Sequence, residues 1–402
     1  MTKAIPTSEL VNRIPPSGIR EFFELVQARE GVISLGVGEP DFATPWNIRE
    51  AAIFALEKGQ TSYTSNLGMA KLRRCIADYV WEMFDTSYDP EKEVLVTVGV
   101  SEALDLVFRA LLNPGDEVIY HEPCYVSYSP GIALAHGVGV VVETRPEDEF
   151  ALRSEALEAV ITPRSRALVL NFPTNPTGAV MPAEELEKVA ELCRRHNLVV
   201  ITDEIYSELR YDGVRHPSIA AMKGMKERTI LLHGFSKAFA MTGFRLGYAC
   251  APHHFIEAMM KIHQYAILCA PTTSQAAAIE ALEGGASAVE HMRRSYDQRR
   301  RIIVDKLNAM GLPCFEPGGA FYVFPDIRPS GLTSKEFAQR LLDEEGVAAV
   351  PGSAFGACGE GFLRCCYATA FDDLREALNR MQRFVGGLGL APQDTAKQSP
   401  VA

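Results

Sequence analysis

Several common features are missing from this chain of 402 residues. No window reaches the roughly 18 uninterrupted apolar residues that a membrane-spanning helix requires, and residues 1–14 hold no apolar core of signal-peptide length. The expectation is a cytoplasmic protein with no membrane partner. The 9 cysteines are scattered without a Cys-x-x-Cys pair, and an odd count favours free thiols over a disulfide framework. No zinc-ligand spacing is visible, so no metal site is expected. Basic residues are also short: 40 Lys and Arg stand against 51 Asp and Glu, for a net charge of −11. Without a cationic excess the chain has no general surface for nucleic acid or anionic membrane. Any anion must be held locally, by a few placed donors.

What is present is an ordinary globular composition, 47% hydrophobic and 23% charged, with length for two or three domains. Apolar runs at 94–98, 117–120, 138–142, 167–170, 198–202 and 229–232 read as strands. Helical patterns at 102–112, 154–160 and 183–197 fall between them. Such alternation implies right-handed crossovers and an α/β fold, a mainly parallel sheet covered by helices and buried on both faces. Later, short strands at 320–324, 347–350 and 362–367 mix with helices at 334–345 and 372–384, which predicts a smaller α+β domain. The predicted division is an N-terminal arm with part of the small domain (1–46), a large domain (47–292), a small domain (293–388) and a disordered tail (389–402). The arm includes a helical pattern at Ile19, Phe22, Phe23 and Val26. A basic run, Arg293, Arg294, Arg299, Arg300 and Arg301, lies on a long helix and reads as a solvated face.

In open parallel sheets ligands bind beyond the carboxyl ends of the strands. The 229–232 strand leads into Gly234-Phe-Ser-Lys-Ala-Phe-Ala-Met-Thr-Gly-Phe-Arg-Leu-Gly-Tyr248, which sets Lys237 in apolar surroundings. A desolvated amine loses its proton more easily and can attack an aldehyde, while Ser236 and Arg245 are residue types that bind phosphate. Pyridoxal phosphate offers both groups. After the 94–98 strand, Gly99 makes a turn and Ser101 reads as the N-cap of a helix. First-turn amides without acceptors, and the helix dipole, suit an anion there. Asn171-Phe-Pro-Thr-Asn-Pro-Thr-Gly178 and Asp203-Glu-Ile-Tyr206 follow two further strands. In Gly36-Val-Gly-Glu-Pro-Asp-Phe42 two glycines allow close backbone approach. Arg364 stands inside the apolar run Gly361-Phe-Leu-Arg-Cys-Cys-Tyr367, where a guanidinium demands an internal carboxylate or a bound anion.

The segment Ser-Lys-Ala-Phe-Ala-Met-Thr-Gly-Phe-Arg-Leu-Gly resembles the pyridoxal-phosphate attachment segment of class I aminotransferases, which have the fold-type I architecture. With Gly-Glu-Pro-Asp-Phe, Asn-Pro-Thr-Gly, Asp-Glu-Ile-Tyr and Arg364, the resemblance runs from about Ile14 to Phe384. It is nearest to the prokaryotic aspartate and aromatic branch. The resemblance implies a cofactor joined to Lys237, with Asp203 on its ring nitrogen, Asn175 and Tyr206 on its phenolic oxygen and Tyr125 stacked on the ring. The phosphate would be held by amides around Val100 and Ser101, by Ser236 and Arg245, and by Tyr63 of a neighbouring subunit, in a homodimer with shared sites. Gly38, Tyr125, Asn175 and Arg364 would face the substrate, with Arg364 on its α-carboxylate. The implied reaction passes the amino group of an aromatic amino acid or aspartate to 2-oxoglutarate by a ping-pong route. Rival readings are an alanine- or diaminopimelate-type aminotransferase, a fold-type I lyase, decarboxylase or cyclopropane-forming synthase, and a cofactor-sensing domain of a transcription regulator. Against the last, the roughly 30 residues before Val32 are too few for a DNA-binding domain.

Overall fold

The computed structural model describes residues 5–19, 29–211 and 213–390. Its strands, in chain order, are β1 (Ile33–Ser34), β2 (Val94–Thr97), β3 (Glu117–Glu122), β4 (Val138–Glu143), β5 (Ser165–Leu170), β6 (Val199–Asp203), β7 (Thr229–Gly234), β8 (Gly247–Cys250), β9 (Tyr322–Val323), β10 (Val347–Ala348), β11 (Val350–Pro351) and β12 (Leu363–Cys366). The helical pattern read at 19–26 lies, from residue 20 onward, outside the described residues, as does the tail from residue 391.

Seven strands form one sheet in the order β2-β8-β7-β6-β5-β3-β4. Strands β3 to β7 run parallel, and β8 runs antiparallel to both β7 and β2. The mainly parallel α/β sheet is therefore present; after Tyr248 the sequence suggests only the remnant of a strand, and β8 is a full member of the sheet. Side-chain alternation explains the uniformly apolar strands. Val118, Val169 and Ile201 pack with Leu106 and Val107 of the helix Gly99–Leu111, while Ile119, Leu168 and Val200 pack on the other face with Leu186 and Val189 of the helix Ala183–Arg195. Only β4 departs from two-sided burial, with Val138 and Val141 exposed. It is one of two edge strands; the other, β2, is covered on both faces, Leu95 packing with Leu106 and Val107 and its neighbours Val94 and Val96 with Leu72, Ile76 and Val80 of the helix Ala70–Phe84.

The later strands form two small sheets, β1 with β10 in parallel and β11-β12-β9 antiparallel. A strand from the N-terminal arm thus joins the C-terminal part. Between them the helix Ser334–Glu345 starts with a reciprocal capping box at Thr333 and Glu336 and stops at Gly346 in the left-handed region. Only part of the basic run is the solvated face expected of it: Arg294 and Arg301 are exposed, and the others are half-buried or buried. Arg299 and Arg300 of the helix Ala286–Ala309 are buried and pair with Asp41 at 2.8 Å and Asp297 at 2.7 Å, and Arg293 and Arg294 share Glu290. The helix is covered on that side, and each enclosed guanidinium has its carboxylate, as burial requires. Among the described residues no helix is long and apolar enough to cross a membrane.

One contact links the sheet to what lies beyond it. A Cβ on Gly247 of β8 would stand 2.7 Å from the carbonyl carbon of Gly99 and the nitrogen of Val100, so the first turn of the helix Gly99–Leu111 rests directly on strand backbone. Gly247→Ala should therefore cost about 1–3 kcal/mol, because backbone on both sides must shift. Gly386→Ala, on the exposed side of the helix Phe371–Gly387, should gain about 0.5–1 kcal/mol. Urea unfolding of the two variants checks both signs.

Candidate active site

A cleft of ≈ 820 Å³ opens beyond the carboxyl ends of β2, β5, β6 and β7. Each strand delivers residues to it: Val100 and Ser101 follow β2, Asn171 and Asn175 follow β5, Asp203 ends β6 with Tyr206 beyond, and Ser236 and Lys237 follow β7. Gly38, Tyr125, Arg245 and Arg364 complete the predicted set that lines the cleft. Tyr63 alone is elsewhere, 81% exposed on the surface.

Lys237 points its amine at the carbonyl of Gly38, 2.5 Å away, with the rings of Phe321 and Tyr206 at 5.7 and 6.0 Å. Burial is the largest influence on it and lowers its pKa from 10.5 to about 8. Gly38 must be glycine here, since a Cβ would fall 2.5 Å from the Tyr322 hydroxyl. Asp203 is buried; the Tyr128 hydroxyl donates to its Oδ2 at 2.9 Å and the Ile205 N–H to Oδ1 at 3.4 Å. Burial pushes its pKa up to about 6 despite the Tyr128 bond. The Tyr206 hydroxyl meets that of Tyr322 at 2.8 Å.

At the other end Arg245, itself in the left-handed region at φ 50, lays its guanidinium against the start of the helix Gly99–Leu111. A Cβ on Gly99 would be 2.8 Å from its Nη2. Ser101 is not the N-cap that the sequence suggested. Gly99 at φ +74 already turns into the helix, Val98 is the cap residue, and its N–H is taken by the Glu102 carboxylate at 2.5 Å. This places Ser101 in the first turn, among amides that lack intrahelical acceptors. A permanent cation and a helix N-terminus thus face one corner of the cleft, an arrangement suited to phosphate.

Arg364 is 2% exposed and lies between the rings of Tyr322 and Phe355, at 4.7 and 4.8 Å. Its Nη1 donates to Asn175 Oδ1 at 3.0 Å and Nη2 to the Gly36 carbonyl at 2.5 Å, while Nε has no partner among the described residues. The internal carboxylate that the sequence left open is therefore not what it holds. Sequence reasoning missed Tyr128 and Tyr322. Tyr128 had a weak signal, standing one helical turn after Tyr125, whose ring it meets edge-on at 5.7 Å. Tyr322 had none, being one aromatic among several in a short apolar run.

A lowered lysine pKa means that the fold resists the ammonium. The cost is complete below pH 8, shrinks as pH rises toward 10.5 and is absent above it, where the amine is neutral folded or unfolded. Ligand-free Lys237→Met should therefore be more stable than the parent at pH 7 by on the order of 2 kcal/mol. Denaturant unfolding across the range should show the difference closing by about pH 10.5.

Residues 30–381 match the family described as aminotransferase class I and II. The putative aminotransferase YugH of Bacillus subtilis is 53% identical over 378 residues, covering 94% of this chain and 98% of that protein. The aspartate aminotransferase of Pyrococcus abyssi is 46% identical, over 94% and 97% of the two chains. The crystal structure of an aromatic aminotransferase from Pyrococcus horikoshii superposes with a TM-score of 0.89 at 47% identity, covering 93% of this chain and 100% of that one. Cleft, sheet and relatives agree: this chain belongs to the class I and II aminotransferases and is an aminotransferase of fold type I, in the prokaryotic aspartate and aromatic branch.

Proposed function

We propose that this aminotransferase works with pyridoxal 5′-phosphate and passes the α-amino group of an aromatic amino acid or aspartate to a 2-oxo acid such as 2-oxoglutarate, in two half-reactions. One observation carries the cofactor. Of the neighbouring buried carboxylates Asp203, Glu204 and Glu208, Glu204 and Glu208 each have a histidine, His216 at 2.6 Å and His233 at 2.9 Å, whereas Asp203 has only a phenol and an amide. A ring N–H⁺ above Asp203 supplies the matching charge, and an aldehyde fits the weakly basic Lys237. The corner formed by Arg245 and the helix start fits a phosphate. The names of relatives, aspartate and aromatic-amino-acid aminotransferases, support the donor class.

When bound, the cofactor supplies the aldehyde that takes the amino group and the ring that draws electrons from the substrate's Cα. The chain's residues do the rest. Asp203 holds the proton on the ring nitrogen: opposite charges near 4 Å at an effective dielectric of about 20 attract by about 4 kcal/mol. Tyr206 and Asn175 donate to the phenolic oxygen, and Tyr125 covers the ring. Ser236, Arg245 and the amides of Val100 and Ser101 bind the phosphate. Arg364 binds the substrate α-carboxylate through its planar fork. With a pKa of about 8, Lys237 is close enough to neutrality to accept the Cα proton and return it. Gly38 closes over the substrate.

Gly38 and Arg364 come from the parts that flank residues 47–292, which is the division into large and small domains proposed here, for a protein of the cytoplasm. The exposed Tyr63 belongs, in the same proposal, to the phosphate of a second copy in a homodimer.

Adding an amino acid without any 2-oxo acid tests the chemistry. About one equivalent of the matching 2-oxo acid per site should appear as the cofactor absorbance changes to that of its amino form, fastest for aromatic donors or aspartate. Release of ammonia or carbon dioxide instead would make the chain another kind of cofactor enzyme. Mixing Tyr63→Asp with Lys237→Ala tests the shared site. After subunit exchange one site per heterodimer is intact, so activity should rise well above the sum of the separate variants. If mass measurements show exchange and activity stays flat, Tyr63 does not serve a neighbour.

A further inference from the structure

Tyr322 has no part in the chemistry assigned above, yet it touches three residues that do. It lies on β9, opposite Cys366 of β12, and is 1% exposed. Its ring stands 4.7 Å from the Arg364 guanidinium and meets the Tyr206 ring edge-on at 5.7 Å. Its hydroxyl is 2.8 Å from the Tyr206 hydroxyl and 3.5 Å from the Gly38 carbonyl oxygen. The two phenols come from different parts of the chain: Tyr206 follows β6 of the large sheet, and Tyr322 belongs to the three-stranded sheet. The charged groups beside them are Arg364, over the Tyr322 ring, and Lys237, 6.0 Å over that of Tyr206.

Counting protons fixes the direction of the shorter contact. Burial raises the pKa of both phenols, so each hydroxyl keeps its single proton and can donate once while still accepting. If Tyr206 gives its proton to the phenolic oxygen of the cofactor, none is left for Tyr322. The 2.8 Å contact is then a hydrogen bond only if Tyr322 donates it. Tyr322 also has one proton, and two acceptors for it, Tyr206 and Gly38. A separation of 2.8 Å is ordinary for O–H···O and 3.5 Å lies at the outer limit, so the Tyr206 oxygen is the better acceptor.

We propose that Tyr322 is a positioning residue of the active site: with the cofactor bound, its hydroxyl donates to that of Tyr206 and so directs the Tyr206 proton onto the cofactor's phenolic oxygen. This rests on the reading above that Tyr206 meets that oxygen. A hydroxyl that accepts one hydrogen bond donates the next more strongly, by about 10–30%. A stronger bond to the phenolic oxygen stabilises its bare anion, and so lowers the pH at which the cofactor joined to Lys237 gives up the proton that the oxygen shares.

The test is a pH titration of the visible absorbance of the full chain loaded with pyridoxal phosphate, which reports that proton directly. Tyr206→Phe removes the donor and should raise the midpoint by about 1–2 pH units. Tyr322→Phe keeps the ring beside Arg364 and loses the hydroxyl alone, and should raise it by roughly 0.2–0.5 unit. With Tyr206→Phe already present, Tyr322→Phe should move it no further. A 3-fluorotyrosine at position 322, a more acidic phenol and stronger donor, should lower the midpoint, and it carries the test if Tyr322→Phe does not hold the cofactor. A midpoint that stays or falls in Tyr322→Phe, or stays or rises with the fluorinated ring, overturns the proposal. So does a Tyr322→Phe shift that survives in the Tyr206→Phe background, since Tyr322 then acts through some other group. If Tyr206→Phe itself leaves the midpoint in place, the fault lies in the role given to Tyr206, and the proposal falls with it.

Discussion

The structure depends on one electrostatic constraint, the enclosure of the Asp203 carboxylate at the end of β6. Taking a carboxylate out of water disfavours its charge unless something returns what the solvent supplied. Tyr128 and the Ile205 amide return part of it, and the pKa still stands at about 6. The rest must come from a cation in the cleft above or from the layer below. The same burial acts in the opposite direction on Lys237, whose amine is driven toward neutrality. A poor solvent for both charges thus gives an acid and an amine with properties neither has in water, a common way for proteins to tune groups for proton transfer.

The second constraint is mechanical. The segment 36–44 is tied down at many points: Arg364 to the Gly36 carbonyl, Lys237 to the Gly38 carbonyl, Arg299 to Asp41 and Thr44 to the Ala240 carbonyl. It joins the lysine loop to the C-terminal helices across the mouth of the cleft. Two of these ties use the groups assigned to the substrate. A substrate carboxylate at Arg364 therefore competes with a backbone carbonyl, and charge assistance favours the carboxylate.

Much of this was legible in the residues themselves. Six of the seven large-sheet strands were marked by an apolar run, and polar residues that follow four of the runs line the cleft, because parallel strands with crossover helices put their carboxyl ends on one side. The lysine segment carried its chemistry openly, since a lysine followed by apolar residues and one arginine is rare on a solvated surface. Strand β8 was underrated because antiparallel membership leaves no separate mark in so short a run. Arg299 and Arg300 of the arginine run were misjudged because charge periodicity shows which face is cationic and says nothing of what packs on it.

What the sequence determined by itself was the order of elements, the apolar strands and the identity of nearly every polar group at their ends, all of them consequences of local pattern. Tertiary structure alone decided the partners. Tyr128 on Asp203, Tyr322 on Tyr206 and His233 on Glu208 join residues 75, 116 and 25 positions apart. Arg364 reaches Asn175 across 189. Local propensity does not encode such pairs. They arise when the sheet stacks distant segments and burial favours a neighbour for each enclosed polar atom, though some, such as Arg364 Nε, have none among the described residues.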